Sequence, residues 1–310
     1  MILEYGLLSS ACATLDYGLE IVTIALLYST IPFWQSSRPN IGVKDARTIY
    51  FTVERQLHTD YENQRVPALF RPLAEATLRQ VEVPEGSRVI DIACGTGIVG
   101  RLPAEKVGKS GSVVGVDLNA GMLEVAKRSV PSGVEWHQGD VTALPIPDDS
   151  FDMAFCQQGL QFFSDKVAAL NEVRRILTTG GTLILTVWSA VPRLGAAISE
   201  GLGRYVSAEA AKTALEPFIF NDIKIIKPLF GESGFSDIQN EVLVVERNLG
   251  PAEQSIPLEL AGQGFADDIE KLDTATRAAL FNGVGEALKE FRTDGGFAIP
   301  QHTHLIRATA

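Results

Sequence analysis

The sequence predicts a doubly wound α/β domain, a seven-stranded and mostly parallel sheet with helices on both faces and its first strand central. Three observations carry this. Val89-Ile90-Asp91-Ile92 is a short β-branched run that reads as a buried strand; it breaks at the small-residue loop 93–97 and resumes as a helix with apolar Ile98, Val99 and Leu102. Further short apolar runs then alternate with segments of helical periodicity, the pattern of βαβ units. The loop itself is rich in glycine: Gly95 and Gly97 permit backbone angles that other residues resist and let a ligand lie against the main chain. Its free amide N–H groups and the helix start favour a carboxylate or phosphate, so the unit is expected to hold a nucleotide-like molecule.

The elements follow in order. Residues 50–80 are helical in pattern, with a helix expected to begin near Pro67 and to bury Leu69, Phe70, Leu73, Ala76 and Leu78. Strand one begins near Arg88, and 108–111 is a loop. Val113-Val114-Gly115-Val116-Asp117 is a second buried strand ending in an acid. Asn119 caps the helix carrying Met122, Leu123 and Ala126. Strand three is 134–137, and 145–150 is a turn before strand four at 151–156. A helix over 165–177 is expected to stop at a Gly180-Gly181 cap, with strand five at 182–188. Residues 192–228 are a helical insertion holding the aromatic clump Phe218-Ile219-Phe220. Strand six at 238–245, a helical stretch over 256–292 and a last strand at 297–309 complete the sheet.

Composition sets limits. At 310 residues and 45% apolar content, the chain can bury one large domain or a domain with an elaborated lid. A net charge of −11 without a clustered basic stretch argues against nucleic acid, whose phosphates need grouped Lys and Arg. Cys12, Cys94 and Cys156 are too few and too far apart for a disulfide framework, which fits a reducing, cytoplasmic compartment. Residues 1–45 differ from the rest. The uncharged run 21–34 is broken by Pro32 and preceded by Glu4, Asp16 and Glu20. It falls short of the roughly 20 apolar residues of a bilayer span and lacks the positive lead of a signal peptide. The expectation is a helical extension packed on the domain or on a second subunit (hence a homodimer), or a start codon placed too far upstream. A membrane-surface anchor is the alternative. Residues 35–40 are a polar linker, and the main domain is expected over 46–310.

Read literally, Gly95-Thr96-Gly97-Ile98-Val99-Gly100 is G-x-G-x-x-G, a dinucleotide fingerprint. Asp91 at the strand end and the tripeptide Ala93-Cys94-Gly95 bend it elsewhere, to D-x-A-C-G-T-G. This resembles motif I of the class I S-adenosylmethionine (SAM) dependent methyltransferases of small molecules, in a style shared with the ubiquinone/menaquinone-biosynthesis methyltransferases. The resemblance covers about 61–188 well and the C-terminal part loosely. It implies the Rossmann-like methyltransferase fold, with an antiparallel last strand, and SAM as cofactor, leaving S-adenosylhomocysteine as product. Asp91, Ala93, Gly95 and Gly97 form the cofactor loop. Asp117 accepts from the ribose diol, a role that NAD folds share. Leu118 is expected in the cofactor site and Met122 on an adenine face, although a methionine at helical spacing is more often core. Asp140 is expected to accept from the adenine amine and the Val141 N–H to donate to the ring. Tyr61 is expected on the SAM carboxylate, with packing alone as the competing role.

Beyond the carboxyl end of strand four, where ligands sit in such sheets, Gln157 is expected to face the sulfonium and Gln158 and Phe162 the acceptor. By the same resemblance the 192–228 insertion is the acceptor lid, with Phe218 and Phe220 against an apolar substrate. Methyl transfer from a sulfonium is an in-line displacement that positioning and water exclusion can largely supply. If a base is needed, His302 or His304 is the first choice, since the last strand begins at the ligand edge; two ligands alone do not make a metal site. The expected partner is thus a small, lipophilic or aromatic acceptor, methylated on oxygen or carbon rather than nitrogen. The competing readings are a SAM-binding assembly or regulatory protein without catalysis and an NAD-dependent oxidoreductase.

Overall fold

The computed structural model describes residues 57–310 apart from 130–132 and 262–263. The chain divides into two compact units, Met1–Asp60 and Tyr61–Ala310, and the description below concerns the second. The apolar run 21–34, the polar linker and the expected division at 45/46 lie outside the described residues.

The first helical rod, expected to begin near Pro67, does not begin there, since residues 57–60 are already helical. It is π-wound over Tyr61–Phe70 and continues as α1 (Arg71–Arg79). Pro67 and Pro72 have no N–H to give to the regular ladder, so helix propensity could not show where the rod begins. β1 (Arg88–Ile92), α2 (Ile98–Lys106), β2 (Ser112–Asp117), α3 (Ala120–Ser129), β3 (Glu135–Gln138) and β4 (Phe151–Gln157) follow the expected alternation. Asn119 Oδ1 accepts from the Gly121 and Met122 N–H groups and starts α3. α4 (Lys166–Ile176) is capped by the Asp165 side chain.

α4 does not reach Gly180-Gly181. Leu177 is already extended, at φ −80° and ψ 141°, and β5 runs over Leu177–Trp188. Gly180, at φ +82°, bends the strand where its register on β4 jumps, from Phe151 opposite Leu177 to Met153 opposite Thr182. The glycine pair is therefore a strand kink, a use of left-handed glycine that sequence alone cannot separate from a helix cap.

Seven strands lie side by side in the order β3-β2-β1-β4-β5-β8-β6, with β6 at Ser236–Leu249 and β8 at Gly296–Thr309. β1, β2, β3, β4 and β5 pair in parallel, and β8 runs antiparallel to both β5 and β6. The short β7 (Arg292–Thr293) forms a hairpin with the start of β8. β1 is interior as expected, but the midpoint of the seven is β4 rather than β1. Alternation along β1 divides the core: Val89 joins Ala74, Leu78, Ile98, Val99 and Phe155 on one face, while Ile90 and Ile92 join Leu170, Val173 and Ile176 on the other.

Between β5 and β6 come α5 (Arg193–Tyr205), α6 (Ala208–Thr213) and α7 (Ile223–Glu232). α7 buries Ile226 and Phe230 in the sheet core, so the last part of the 192–228 insertion flanks the sheet. Between β6 and β7 come α8 (Ala252–Leu260), α9 (Ala266–Glu270) and α10 (Thr274–Ala287). Leu194, Ile198 and Leu202 of α5 share a second core with Ile256, Leu260, Phe265, Leu280 and Val284, closed by Leu249, Phe297 and Ile299 of the long β6–β8 ribbon. The cap is thus built from two chain segments. No described helix is long and apolar enough to cross a membrane.

Trp136 of β3 fills the space under the glycine loop. A Cβ on Gly115 would lie 2.4 Å from its ring and one on Gly97 2.2 Å, at a φ of +85°. Gly115→Ala, whose backbone can accept alanine, is expected to lower stability by about 1–3 kcal/mol through overpacking. Urea unfolding would read this; an unchanged midpoint would mean that the ring is not seated there.

Candidate functional site

The loop after β1 is held by two carboxylates. Asp91 Oδ2 accepts from the Gly100 N–H at 2.8 Å, and Asp117 Oδ2 from the Gly95 N–H at 2.7 Å. Asp117 Oδ1 also accepts from the Asn119 N–H at 2.8 Å, which leaves lone pairs on both oxygens for a further donor. Ala93 on this loop, at φ +53°, and Gln158 after β4, at φ +56°, both hold the left-handed backbone. They flank the β1/β4 junction, where the strand order reverses and sheets of this kind place their ligands. Such strain in non-glycine residues costs on the order of 1–3 kcal/mol and clusters at functional sites. Gly159 lets the two loops close up, since a Cβ there would sit 2.8 Å from Ala93 Cβ and from Cys156 Sγ.

A cavity of about 850 Å³ opens above this junction. It brings together Tyr61, Ala93, Gly95, Asp117, Leu118, Met122, Asp140, Val141 and Gln157 of the expected cofactor set and Gln158, Phe162 and Phe218 of the expected acceptor set. Leu118 and Phe162 are 67% and 66% exposed, so they stand at the mouth rather than in the wall. Asp140 Oδ1 accepts from the Thr142 N–H and hydroxyl, which holds its carboxyl below the usual carboxylate range. Gln157 donates from Nε2 to the Phe70 carbonyl at 3.1 Å, and its Oε1 is buried without a partner among the described residues.

Tyr61 stacks on Phe70 with ring centroids 5.3 Å apart, and burial pushes its phenol well above the usual range, so it serves as a neutral hydrogen-bonding group. The rod carrying it is tied to the glycine loop by Arg101, which donates to Glu62 Oε1 at 2.7 Å and to the Thr96 carbonyl at 2.5 Å.

Five expected residues lie outside the lining. Asp91, 1% exposed, points into the fold and serves Gly100. Gly97 starts α2 over Trp136. Phe220 packs against the sheet core, under Lys166 at 4.8 Å. His302 is exposed, and His304 is buried with Nε2 3.1 Å from the Asn221 carbonyl. The period of two along β8 explains this: Gln301 lines the cavity, so the histidines on the adjacent parity fall on the other face. The thiols are also quiet, since burial raises Cys94 well above the thiol range and pushes Cys156 up to about 12.

Sequence reasoning missed Arg65, Arg247, Glu259, Gln301, Trp188 and Phe265, all in the cavity wall. Trp188 ends β5, and its ring lies 5.8 Å from that of Phe218. Only Arg65, one turn after Tyr61 on a recognised segment, left a signal. Arg247 and Glu259 come from regions whose role depends on the second cap segment.

The fit to SAM can be judged from these groups. The spare acceptor capacity of Asp117 suits a ribose diol, and the orphaned Gln157 Oε1 suits an ammonium group. Asp140, beside the open rim formed by Leu118 and Met122, suits an adenine amine. The donor set fits the cofactor.

Asp91 carries a pH signature. Burial, ahead of the Gly100 hydrogen bond that opposes it, raises its pKa to about 8. The folded state therefore keeps the Asp91 proton over a window, between about pH 4 and 8, in which the unfolded chain has released it. Stability of the ligand-free protein is expected to fall across that window as pH rises, with a slope approaching about 1.4 kcal/mol per pH unit from this group. Asp91→Asn keeps the acceptor for Gly100 and should remove that slope; parallel stability profiles for wild type and variant between pH 5 and 7 would contradict it.

Residues 89–181 match the family model described as "Methyltransferase domain". The ubiquinone/menaquinone biosynthesis C-methyltransferase UbiE of Xanthomonas oryzae pv. oryzae is 43% identical over 115 residues, 36% of this chain and 46% of that protein. The UbiE of Xylella fastidiosa is 39% identical over 159 residues, 49% of this chain and 63% of that protein. The chain thus spans about half the length of the curated relatives it matches. Among solved structures, the YcgJ protein of Bacillus subtilis shares the fold with a TM-score of 0.50 at 18% identity, covering 76% of this chain and 97% of its own. Motif, sheet order, site and relatives agree: the chain has the Rossmann-like methyltransferase fold and resembles the class I SAM-dependent methyltransferases of small molecules, UbiE among them.

Proposed function

We propose that this protein transfers the methyl group of SAM to a small, largely apolar aromatic acceptor, on carbon or oxygen. The observation that carries the reading is one cavity whose lining combines polar groups, Asp117 and Asp140 among them, with the aromatic side chains of Trp188, Phe218 and Phe265. At about 850 Å³ it lies high in the roughly 300–1,000 Å³ range of small-molecule sites, which leaves room for two ligands side by side. The UbiE relatives are named as C-methyltransferases of quinone biosynthesis, which supports an aromatic, lipophilic acceptor.

When bound, SAM supplies a methyl group already activated by its sulfonium. The chain's part is placement. Tyr61 and Arg65 offer a hydrogen bond and positive charge to the amino-acid carboxylate, Gln157 Oε1 takes the ammonium, Asp117 fixes the ribose and Asp140 with the Val141 N–H reads the adenine. The Gln158 side chain, held by the Thr303 hydroxyl at 3.2 Å and by Gln161 at 3.2 Å, stiffens the floor between the ligands. Trp188 and Phe218 exclude water and hold the acceptor in line, where a shift of about 1 Å can cost 10²-fold in rate. His302 and His304, on the other face of β8, have no part in this arrangement.

The test is methyl transfer from labelled SAM to aromatic hydroquinones by the purified protein. Asp117→Ala is expected to weaken SAM by about 2 kcal/mol or more, because two bonds to a charged acceptor are lost. Calorimetry that finds unchanged SAM affinity, or tight NADH binding by wild type, would remove the cofactor assignment. Phe218→Ala should leave SAM affinity unchanged and lower turnover; full turnover would place the acceptor elsewhere.

A further inference from the structure

Arg247, on β6, and Glu259, on α8, form an ion pair in the cavity wall, their side chains only 10% and 12% exposed. Both contacts run from a single nitrogen: Arg247 Nη2 donates to Glu259 Oε1 at 2.5 Å and to Oε2 at 2.6 Å. Arg247 Nε is buried without a partner among the described residues. The pair stands beside the Tyr61 rod. Val245, two residues before Arg247 and so on the same face of β6, packs with Leu69 and Leu73 of that rod.

Arg65, one turn after Tyr61, belongs to the same group of charges. Glu259 favours its positive charge and Arg247 opposes it, while burial pulls its pKa below the usual arginine range. Tyr61 feels Arg65 and Arg247 as well, and also Asp117, the acid assigned above to the ribose. Rod, ribbon and cap therefore each send one charged side chain to this cluster, and its Tyr61 edge also meets the ribose acid.

The charges of the three do not balance. Glu259 offsets one of two guanidiniums and leaves one positive charge in a wall largely removed from water. Two like charges held there repel, and a buried charge is costly unless it is paired and hydrogen-bonded. One carboxylate completes the set. It adds the missing negative charge, and its two oxygens can accept from both guanidiniums at once. The methionine tail of SAM leaves the ribose carrying one such group, whereas a largely apolar acceptor brings none.

We propose that Arg247 is a further cofactor-binding residue, which with Arg65 clasps the carboxylate of SAM, and that Glu259 is the positioning residue that holds the Arg247 guanidinium and sets the cluster to take a single anion. The proposal rests on the methyltransferase reading and deepens its cofactor site. The cofactor then meets β6 and, through Glu259, the cap, as well as the central strands and the rod.

The experiment measures, by calorimetry on the full chain, binding of S-adenosylhomocysteine and of S-adenosyl-3-thiopropylamine, the same molecule without its carboxylate. Wild type is expected to prefer S-adenosylhomocysteine by about 100-fold, as for bonds between charged groups. Arg247→Met should cut that preference by about 10-fold or more and leave affinity for the amine within about 3-fold. Arg247→Lys, which keeps the charge and loses the fork, should fall between the two. Glu259→Gln makes the cluster more positive and should widen the preference by about 3-fold or more. Opposite signs are the signature: both changes break the same ion pair, and a purely structural pair would move both variants the same way. An unchanged preference in Arg247→Met, or a narrowed one in Glu259→Gln, would overturn the proposal; should Arg247→Met not fold, Glu259→Gln decides alone. Binding of 1-naphthoate to loaded wild type but not to loaded Arg247→Met would also overturn it, by giving the pair to an acceptor carboxylate. If wild type fails to bind S-adenosylhomocysteine at all, it is the underlying methyltransferase reading that falls.

Discussion

The structure turns on two carboxylates that hold one loop. Asp91 in β1 and Asp117 at the end of β2 receive backbone N–H groups from either end of the glycine turn, Gly100 and Gly95. Each does a different job because each has a different environment. Asp91 faces the packed side of the sheet, and burial drives it towards the protonated form. Asp117 stands at the cavity edge and keeps acceptor capacity for a ligand. The loop so held carries left-handed Ala93 against left-handed Gln158, so the backbone at the β1/β4 junction is set before any ligand arrives. Pre-setting of this kind is what positioning catalysis requires, since a site that must rearrange loses the advantage of bound geometry.

The rest of the site follows from how chain segments are hung on that junction. Arg101 joins the Tyr61 rod to the Thr96 carbonyl, and Gln157 joins it to β4, so the rod is fixed to the loop it covers. The cap is fixed differently. It has its own apolar core, with Leu202, Ile256, Leu280 and Val284 fully or almost fully buried, and it meets the sheet through the extended β6–β8 ribbon. The cavity wall therefore comes partly from the sheet and its rod and partly from a separately packed body.

That division also explains what could be read from the sequence. Asp91, Gly95, Asp117 and Asp140 belong to short local patterns, each a strand end followed by a turn, and local patterns survive in one dimension. The helix predicted to stop at Gly180-Gly181 failed because a left-handed glycine serves a strand kink as well as a helix cap. His302 and His304 were correctly placed on the last strand and wrongly aimed: the strand's period was legible, but which parity faced the cavity was set by pairing Thr303 with Trp188. Arg247 and Glu259 could not be found at all. They are brought together by folding α8 back on the far end of β6, a contact that no periodicity in either segment announces.

Fold of this type leaves the acceptor undetermined, because the same sheet serves many substrates. Here the physical reason is visible in the wall of one cavity. The groups at the β1/β4 junction, among them the carboxylates of Asp91 and Asp117 and the backbone amides they hold, have positions that the sheet order dictates. Lining residues of the cap such as Leu194, Ile198 and Phe265 are instead held by apolar packing that tolerates substitution when volume is kept. The ion pair of Arg247 and Glu259 in the same wall is the exception. Breaking it by removing one partner strands a buried charge, at a cost of about 3–5 kcal/mol, whereas replacing both with apolar residues costs little. The pair is thus the least tolerant feature of the most tolerant part of the molecule, and that asymmetry separates it from the packing around it.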